Sequence, residues 1–229
     1  MSDLLSQLLP LALLGAVLGL DVVSFPQAMI SRPLVAATAA ATLLGDPARG
    51  LLIGATLEMF ALETLPFGAS RYPEWGSAAV VGGGLFAMSP DDGAGTFAVA
   101  VLIALVAAWI GSWSMVQVRK LNARLARARH EDVASGSKRV VEGLQVFGLT
   151  ADLLRGGTLT AALLAVAVPA HAFILGRWQA DMRVSRAVVV ALAASVAAGA
   201  VWKVVHAAPG ARWLLLGGIG IGLALLAAR

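Results

Sequence analysis

The feature that most constrains this chain is a set of long apolar segments that contain few or no charges. Thr96–Val118 has 23 consecutive residues without Asp, Glu, Lys or Arg. A helix needs about 20 mainly apolar residues to cross the hydrocarbon core of a bilayer. Thr96–Val118 is therefore predicted to cross a membrane. Further candidate spans are Leu4–Leu20, Thr158–Leu175, Val184–Val205 and Trp213–Ala228.

The composition supports an integral membrane protein. Apolar residues make up 59% of the 229-residue chain, charged residues 13%, and the mean hydropathy is +0.84. Soluble domains have about 45–50% apolar and about 25% charged residues. The unbroken apolar runs also differ from the alternating pattern of membrane β-barrel strands. We therefore predict an all-α polytopic membrane protein with a single membrane-embedded domain over residues 1–229.

Three apolar segments of the first half are too short to cross a bilayer alone: Leu34–Leu44, Leu51–Leu65 and Ser77–Met88. Broken or re-entrant helices of this kind are tolerated in membranes where they are buried in protein or line a cavity, and they mark the substrate sites of many transporters. Counting these short helices, we predict roughly six to nine membrane segments.

The basic residues predict how the chain is oriented. Residues 118–142 hold seven Lys/Arg and three Asp/Glu, which favours a cytoplasmic loop because cytoplasmic loops are enriched in Lys and Arg. The arginines within residues 177–186 favour the cytoplasm too, although only Thr158–Leu175 separates the two groups as a clear span. Entry of Leu144–Leu154 into the membrane, as a half-helix or an extra crossing, would remove this conflict. The net charge of +4 thus concerns orientation, and no nucleic-acid partner is predicted.

The two halves of the chain share a sequence pattern. In the first half, Ser31-Arg32 precedes an apolar run that ends in Asp46–Gly54. In the second half, Ser185-Arg186 precedes a longer run that ends in Pro209–Gly217. The pattern fits an inverted repeat, but sequence rich in Ala and Leu also produces such matches by chance. Both interpretations stay open.

Glu58 is the most informative candidate site residue, because it lies in the middle of an apolar segment. A carboxylate at bilayer depth costs several kcal/mol and usually faces a cavity or a partner. Gly50, Gly54 and Glu58 are spaced i, i+4, i+8 and share one helix face. We predict that the glycines form a close helix seam and that Glu58 accepts hydrogen bonds from a ligand there. Alternatively, Glu58 caps a broken helix or pairs with Arg32 or Arg71.

Asp21 and Gln27 flank the proline break Phe25-Pro26 after the first apolar segment. A carboxylate and an amide at an unwound helix end are suited to bind hydroxyl groups, so both residues are candidate ligand contacts. The alternative is that this segment is a turn exposed to water. The sequence does not choose between these two interpretations.

Catalytic and metal-ligating patterns were not found. The chain has no cysteine, which excludes disulfides and thiolate chemistry, and its three histidines, His130, His171 and His206, lack metal-ligand spacing. No arrangement of Ser, His and Asp rises above chance. We predict that the chain is not an enzyme and holds no metal or cofactor.

One stretch closely resembles a known family. Residues 31–62, SRPLVAATAAATLLGDPARGLLIGATLEMFAL, are similar to the signature region of the mannose/fructose/sorbose-type IIC subunit of the bacterial phosphoenolpyruvate-dependent sugar phosphotransferase system (PTS). The RPL start, the LGD turn, the GLLIGATLEM run and the following Gly68-Ala69 match in order and spacing. Beyond about residue 84 the resemblance is one of hydropathy only.

The resemblance implies a multi-pass permease subunit of the bacterial inner membrane. In that family, IIC works with a membrane subunit IID, and IIC/IID pairs commonly assemble as trimers. Soluble IIA and IIB domains relay phosphate through their own histidines, and IIB phosphorylates the sugar that the IIC/IID pair presents. The family's sugar-binding role maps most directly onto Glu58, with Gln27 and Asp21 as further candidates.

Two other functions remain open from the sequence. An ion-coupled secondary transporter would use Glu58 as its proton or cation site. A diverged membrane scaffold would transport nothing, and the short C-terminal half of the chain keeps this alternative open.

Overall fold

The apolar segments fold into helices, as their length and lack of strand periodicity predict. The computed structural model describes residues 2–22, 24–63, 71–177, 182–205 and 209–227, and these form α-helices joined by turns and short loops, which confirms the predicted all-α class. The helices are α1 (Ser2–Asp21), α2 (Pro33–Leu43), α3 (Pro47–Glu63), α4 (Trp75–Met88), α5 (Ala94–Ala128), α6 (His130–Ala134), α7 (Lys138–Arg177), α8 (Met182–Val205) and α9 (Ala211–Ala227).

The short apolar helices lie mainly in the first half of the chain, and the long ones follow from Ala94 onward. Within the described residues, three are long and apolar enough to cross a membrane: Ala94–Ala128, Lys138–Arg177 and Met182–Gly199. Shorter apolar helices are Ser6–Asp21, Pro33–Leu43, Trp75–Met88 and Ala211–Gly222. Two of them, Pro33–Leu43 and Trp75–Met88, correspond to the short segments predicted at Leu34–Leu44 and Ser77–Met88. Gly68 and Ala69 lie outside the described residues.

The turns and loops that join consecutive helices lie at the two ends of the bundle. At one end, Arg49 donates hydrogen bonds to the carbonyl oxygens of Phe86 and Ser89, at 3.0 and 2.6 Å. This contact joins the α2–α3 turn to the α4–α5 turn. The opposite end, where α1 finishes and α2 and α4 begin, is called the Asp21 end. The basic segment between α5 and α7 emerges there too.

Small residues allow the helices to pack at backbone contact. A Cβ on Gly156 of α7 would lie 2.5 Å from the carbonyl oxygen of Gly15 in α1. A Cβ on Gly83 of α4 would lie 2.6 Å from the carbonyl oxygen of Ala37 in α2. Membrane helices associate through such close approaches, since lipid provides no hydrophobic drive between them. These seams hold α1, α2, α4 and α7 in fixed register.

The prediction that Leu144–Leu154 forms a half-helix or an extra crossing is wrong. Helix α7 runs without a break from Lys138 to Arg177 and includes that segment. Gly156-Gly157 would favour a break by propensity, but both glycines pack against α1, and this packing offsets their low helix propensity. The basic segment and Arg177 therefore lie at opposite ends of one helix.

The two halves of the proposed repeat both form helical hairpins. Ser31–Gly54 covers α2 and the first part of α3, and Ser185–Gly217 covers most of α8 and the start of α9. Helix α2 begins at the Asp21 end, whereas α8 begins beyond the far end of α7. The hairpins thus enter from opposite ends, as in an inverted repeat. Homology between the two hairpins remains a prediction.

Candidate functional site

Charged side chains gather at the Asp21 end of the bundle, although they come from five separate parts of the chain. Most of them are buried or half-buried, and each has hydrogen-bond partners from another turn or element. Buried charges in membrane helices are costly and usually functional. We call this group the polar layer; it consists of Asp21, Arg32, Glu58, Glu74, Asp152 and Arg155.

Glu58 forms an ion pair with Arg32. Its Oε1 accepts hydrogen bonds from Nε of Arg32, at 2.6 Å, and from Nη2 of the same side chain. Its Oε2 accepts a bond of 3.2 Å from the backbone N–H of Leu34, in the first turn of α2. The two side chains are only 19% and 22% exposed. Glu58 therefore fastens α3 to the start of α2, which is the structural alternative weighed above. Ligand contact by Glu58 remains a prediction.

The glycines on the same face of α3 behave as their spacing predicts. A Cβ on Gly54 would lie 2.9 Å from the carbonyl oxygen of Pro33, and one on Gly50 would lie 2.6 Å from that of Ala37. The face of α3 that carries Glu58 is thus the seam with α2. This close seam places the carboxylate within reach of the first turn of α2.

Asp21 organises the loop between α1 and α2. It is buried, and its two carboxylate oxygens accept hydrogen bonds from the backbone N–H groups of Ala28, at 2.7 Å, and Ser31, at 2.9 Å. Gln27 lies on the exposed side of the same loop, with a left-handed backbone at φ 57°. The loop therefore combines a buried anchor with an exposed amide. Their contact with a ligand is a prediction that the geometry leaves open.

A second buried ion pair joins α7 to α1 and α5. Nε of Arg155 donates to Oδ1 of Asp152 at 3.1 Å, and its Nη2 donates to the carbonyl oxygen of Gly19 at 3.0 Å. The hydroxyl of Ser24 donates to Oδ2 of Asp152. Both charged residues are buried. The pair thus ties α7 to the end of α1 and to the loop that follows it.

Glu74 caps α4 from a fully buried position. Its carboxylate oxygens both lie 3.2 Å from the backbone N–H of Ser77, which donates to them. The backbone N–H of Glu74 donates to the carbonyl oxygen of Ala108 in α5 at 3.0 Å. A Cβ on Gly111 would lie 2.7 Å from the Cβ of Glu74. Glu74 is therefore wedged between the start of α4 and a glycine of α5.

Arginines also contact the segment 71–74, which leads into α4. Nη2 of Arg119 donates to the Tyr72 hydroxyl at 2.5 Å, and its guanidinium lies 4.9 Å from the centre of that ring. Burial raises the pKa of the Tyr72 phenol, and the Arg119 cation opposes this change only in part. Arg71 donates to the Ser112 hydroxyl at 3.3 Å. The Tyr72 phenol therefore stays neutral at physiological pH.

The chemistry of the polar layer is that of hydrogen bonding. It combines carboxylates and guanidinium groups, and the Ser24 hydroxyl donates to one of the carboxylates, Asp152. In the described part of the chain, no three His, Asp or Glu side chains lie close enough together to hold a metal ion. The layer is therefore suited to recognise hydroxyl groups.

A family profile decides the affiliation of this chain. Residues 5–176 match the profile of the sorbose-specific IIC component of the phosphotransferase system, EII-Sor. This match covers α1 to α7 and all members of the polar layer. The chain belongs to the EII-Sor family. The IIC resemblance of residues 31–62 is thereby confirmed.

Curated EII-Sor relatives show moderate identity. The fructose permease IIC component of Bacillus subtilis (strain 168) is 28% identical over 165 residues, which is 70% of this chain and 58% of that protein. The mannose-specific EIIC component of Escherichia coli (strain K12) is 31% identical over 125 residues, 54% of this chain and 45% of that protein. The sorbose-specific component of Klebsiella pneumoniae is 28% identical over 124 residues. The matched region thus spans about half the length of these relatives.

Solved structures share the fold of this EII-Sor chain. One described as a membrane protein has a TM-score of 0.71 and 19% identity, over 97% of this chain and 94% of that one. Another, of the mannose transporter ManYZ with microcin E492, has a TM-score of 0.60 and 20% identity, with the same coverage. At such identities the likeness shows the fold alone. The chain is therefore an EII-Sor protein that shares its fold with these two solved structures.

The sequence reasoning missed three members of the polar layer: Glu74, Asp152 and Arg155. Asp152 lies within the apolar segment Leu144–Leu154, and Arg155 follows it directly, next to Gly156-Gly157. Their i, i+3 spacing beside two glycines is a signal that could have found them, because oppositely charged residues so spaced face one another on a helix. Glu74 precedes an apolar helix in the position of a cap, and only the fold shows it buried.

Replacement of Glu74 by alanine is expected to destabilise the protein by about 2 kcal/mol, because it removes a helix cap and leaves a buried N–H without an acceptor. This corresponds to a fall of roughly 4–8 °C in the unfolding temperature in detergent. Glu142→Ala is the matched control, since its pair with Lys138 is exposed. Equal unfolding temperatures for the two variants would contradict the capping role.

Proposed function

We propose that this chain is the sugar-translocating IIC subunit of a mannose-type phosphotransferase system in the bacterial inner membrane. It binds a hexose and presents it for phosphorylation. Its partners are a membrane IID subunit and soluble IIA and IIB domains, which carry the phosphoryl group. The basic segment 118–142 faces the cytoplasm, and IIC/IID pairs form the homo-oligomer.

The observation that carries this proposal is the polar layer in a chain of the EII-Sor family. Short helices end there, and their polar loops and termini lie side by side within the apolar bundle. Unwound backbone beside buried carboxylates is typical of transporter substrate sites. We place the sugar against Glu58, Gln27 and Asp21, where carboxylate and amide oxygens accept bonds from sugar hydroxyls.

The paired state of Glu58 is relevant to this assignment. A carboxylate that accepts from Arg32 and from the first turn of α2 keeps lone pairs for further donors. The pair also holds the carboxylate in one orientation, which favours binding by a preorganised site. An ion-coupled transporter and a membrane scaffold find no support among the three curated relatives given above, which are named as IIC or EIIC components.

The proposal is tested with membrane vesicles that hold this chain and its IID subunit. We expect labelled mannose, fructose or sorbose to accumulate as sugar phosphate when IIA, IIB and phosphoenolpyruvate are supplied. Omission of IIB is the control: sugar binding persists and no phosphorylated product forms. Accumulation of unmodified sugar under an ion gradient would instead support an ion-coupled transporter. Absence of any sugar binding would support the scaffold.

A further inference from the structure

A cavity of about 390 Å³ lies between α5 and α7, beyond the apolar part of α5. Small-molecule sites usually measure about 300–1,000 Å³, so the cavity is large enough for a small ligand. Ser24, Asn122, Gln145 and Phe147 are among its lining residues. None of these belongs to the site proposed above for Glu58, Gln27 and Asp21.

One residue of the lining holds a buried polar atom without a partner. Oδ1 of Asn122 is buried, and no described group donates a hydrogen bond to it. A buried acceptor left unpaired is costly, so it usually meets a water or a ligand. Gly148 stands opposite, where an added Cβ would lie 3.4 Å from Nδ2 of Asn122. The glycine thus lets the backbone of α7 approach the amide closely.

The lining specifies the class of ligand. All nine lining residues are uncharged, which disfavours a phosphate or a carboxylate ligand. Two amides and one hydroxyl offer both donors and acceptors, and Phe147 offers an apolar ring face. A molecule with hydroxyl groups on one side and C–H groups on the other matches this surface, as a hexose does.

The position of the cavity indicates the step of transport at which it would bind sugar. Its α5 lining residues, Asn122, Leu125 and Ala126, lie inside the basic segment 118–142 that is predicted to be cytoplasmic, and five residues between 144 and 149 line it from α7. Through Ser24, which donates to Asp152, the cavity adjoins the polar layer. We propose that it is a cytoplasmic subsite that holds the unphosphorylated sugar after translocation. The proposal rests on the function proposed above.

The absence of cysteine allows a direct test in the purified complex of this chain with IID. Ala126→Cys places a single thiol in the cavity lining, and Ala128→Cys places one about 200° around the same helix. Each is labelled with N-ethylmaleimide, with and without mannose, fructose or sorbose. Sugar at about four times its Kd leaves one fifth of the sites empty, so labelling of Ala126→Cys should slow about fivefold. Ala128→Cys should not change.

Two further variants keep the test decisive. Leu149→Cys offers a second position in the lining if Ala126→Cys does not fold. Asn122→Leu, combined with either thiol, should raise the sugar concentration needed for half-maximal protection about tenfold, because the ligand loses its amide contact.

The outcomes separate this subsite from the function it rests on. If a sugar that the wild-type complex takes up protects neither lining thiol, the subsite is refuted and the transport function stands. Protection without any uptake would support the subsite and overturn the transport function. Absence of both uptake and protection would overturn the two proposals together.

Discussion

Glu58→Ala is expected to abolish hexose uptake and to lower stability by about 2–3 kcal/mol, somewhat less than the 3–5 kcal/mol of a fully buried pair. The reason is that Arg32 keeps its charge and loses its counter-ion, while the N–H of Leu34 loses its acceptor. Unfolding in detergent and phosphoenolpyruvate-dependent uptake measure the two effects. Asp132→Ala is the control, because its pair with Arg129 is exposed.

The double variant Arg32→Gln/Glu58→Gln separates the structural role from the ligand role. It removes both charges and retains side chains of similar size, so most of the lost stability should return. Uptake should stay lost if Glu58 binds the sugar as a carboxylate. Recovery of uptake together with stability would show that Glu58 only fastens α3 to α2.

Gly83→Val is expected to prevent folding or to destabilise the bundle by at least about 3 kcal/mol, the upper end of usual overpacking costs. The added Cβ would lie 2.6 Å from the carbonyl oxygen of Ala37 and 2.9 Å from its Cα. These are backbone atoms of α2, so they cannot rotate away as a flexible side chain would. Size-exclusion chromatography in detergent and thermal unfolding measure the loss.

Gly218→Val is the matched control for this helix seam. It makes the same substitution inside an apolar helix, at a glycine whose added Cβ would meet no described atom within 4 Å. The change in helix propensity is therefore the same, and only the packing differs. Similar behaviour of the two variants would mean that α2 and α4 do not meet at Gly83.

Local pattern was sufficient to predict much of this fold. The apolar runs identify the helices because a bilayer admits only segments that satisfy their own backbone hydrogen bonds. The i, i+4, i+8 spacing of Gly50, Gly54 and Glu58 predicted a close seam, and the contacts of α3 with Pro33 and Ala37 confirm it. The continuity of α7 could not be predicted, because it depends on how Gly156 packs against α1.

The candidate site was predictable only in part. Glu58 is conspicuous because a charge inside an apolar run is costly. Its pairing with Arg32 was one of two candidates, since Arg71 was equally available from sequence. Glu74 and Asp152 gave weaker signals, as they stand at the edges of apolar runs, where acids are common. Their burial depends on elements far away in the chain.

The amino-acid sequence alone was enough to predict the membrane class, the short broken helices, the family and the acid at the centre of the predicted site. Those properties follow from hydropathy, spacing and a local motif, which neighbouring residues carry. Tertiary contacts were needed to show which charges meet, that Asp152 and Arg155 are buried, and that Asn122, with its unpaired amide oxygen, lines a cavity between α5 and α7. Some of these contacts join residues far apart in the chain, such as Ser24 and Asp152, and they depend on helices that pack closely along glycine seams rather than on local preference.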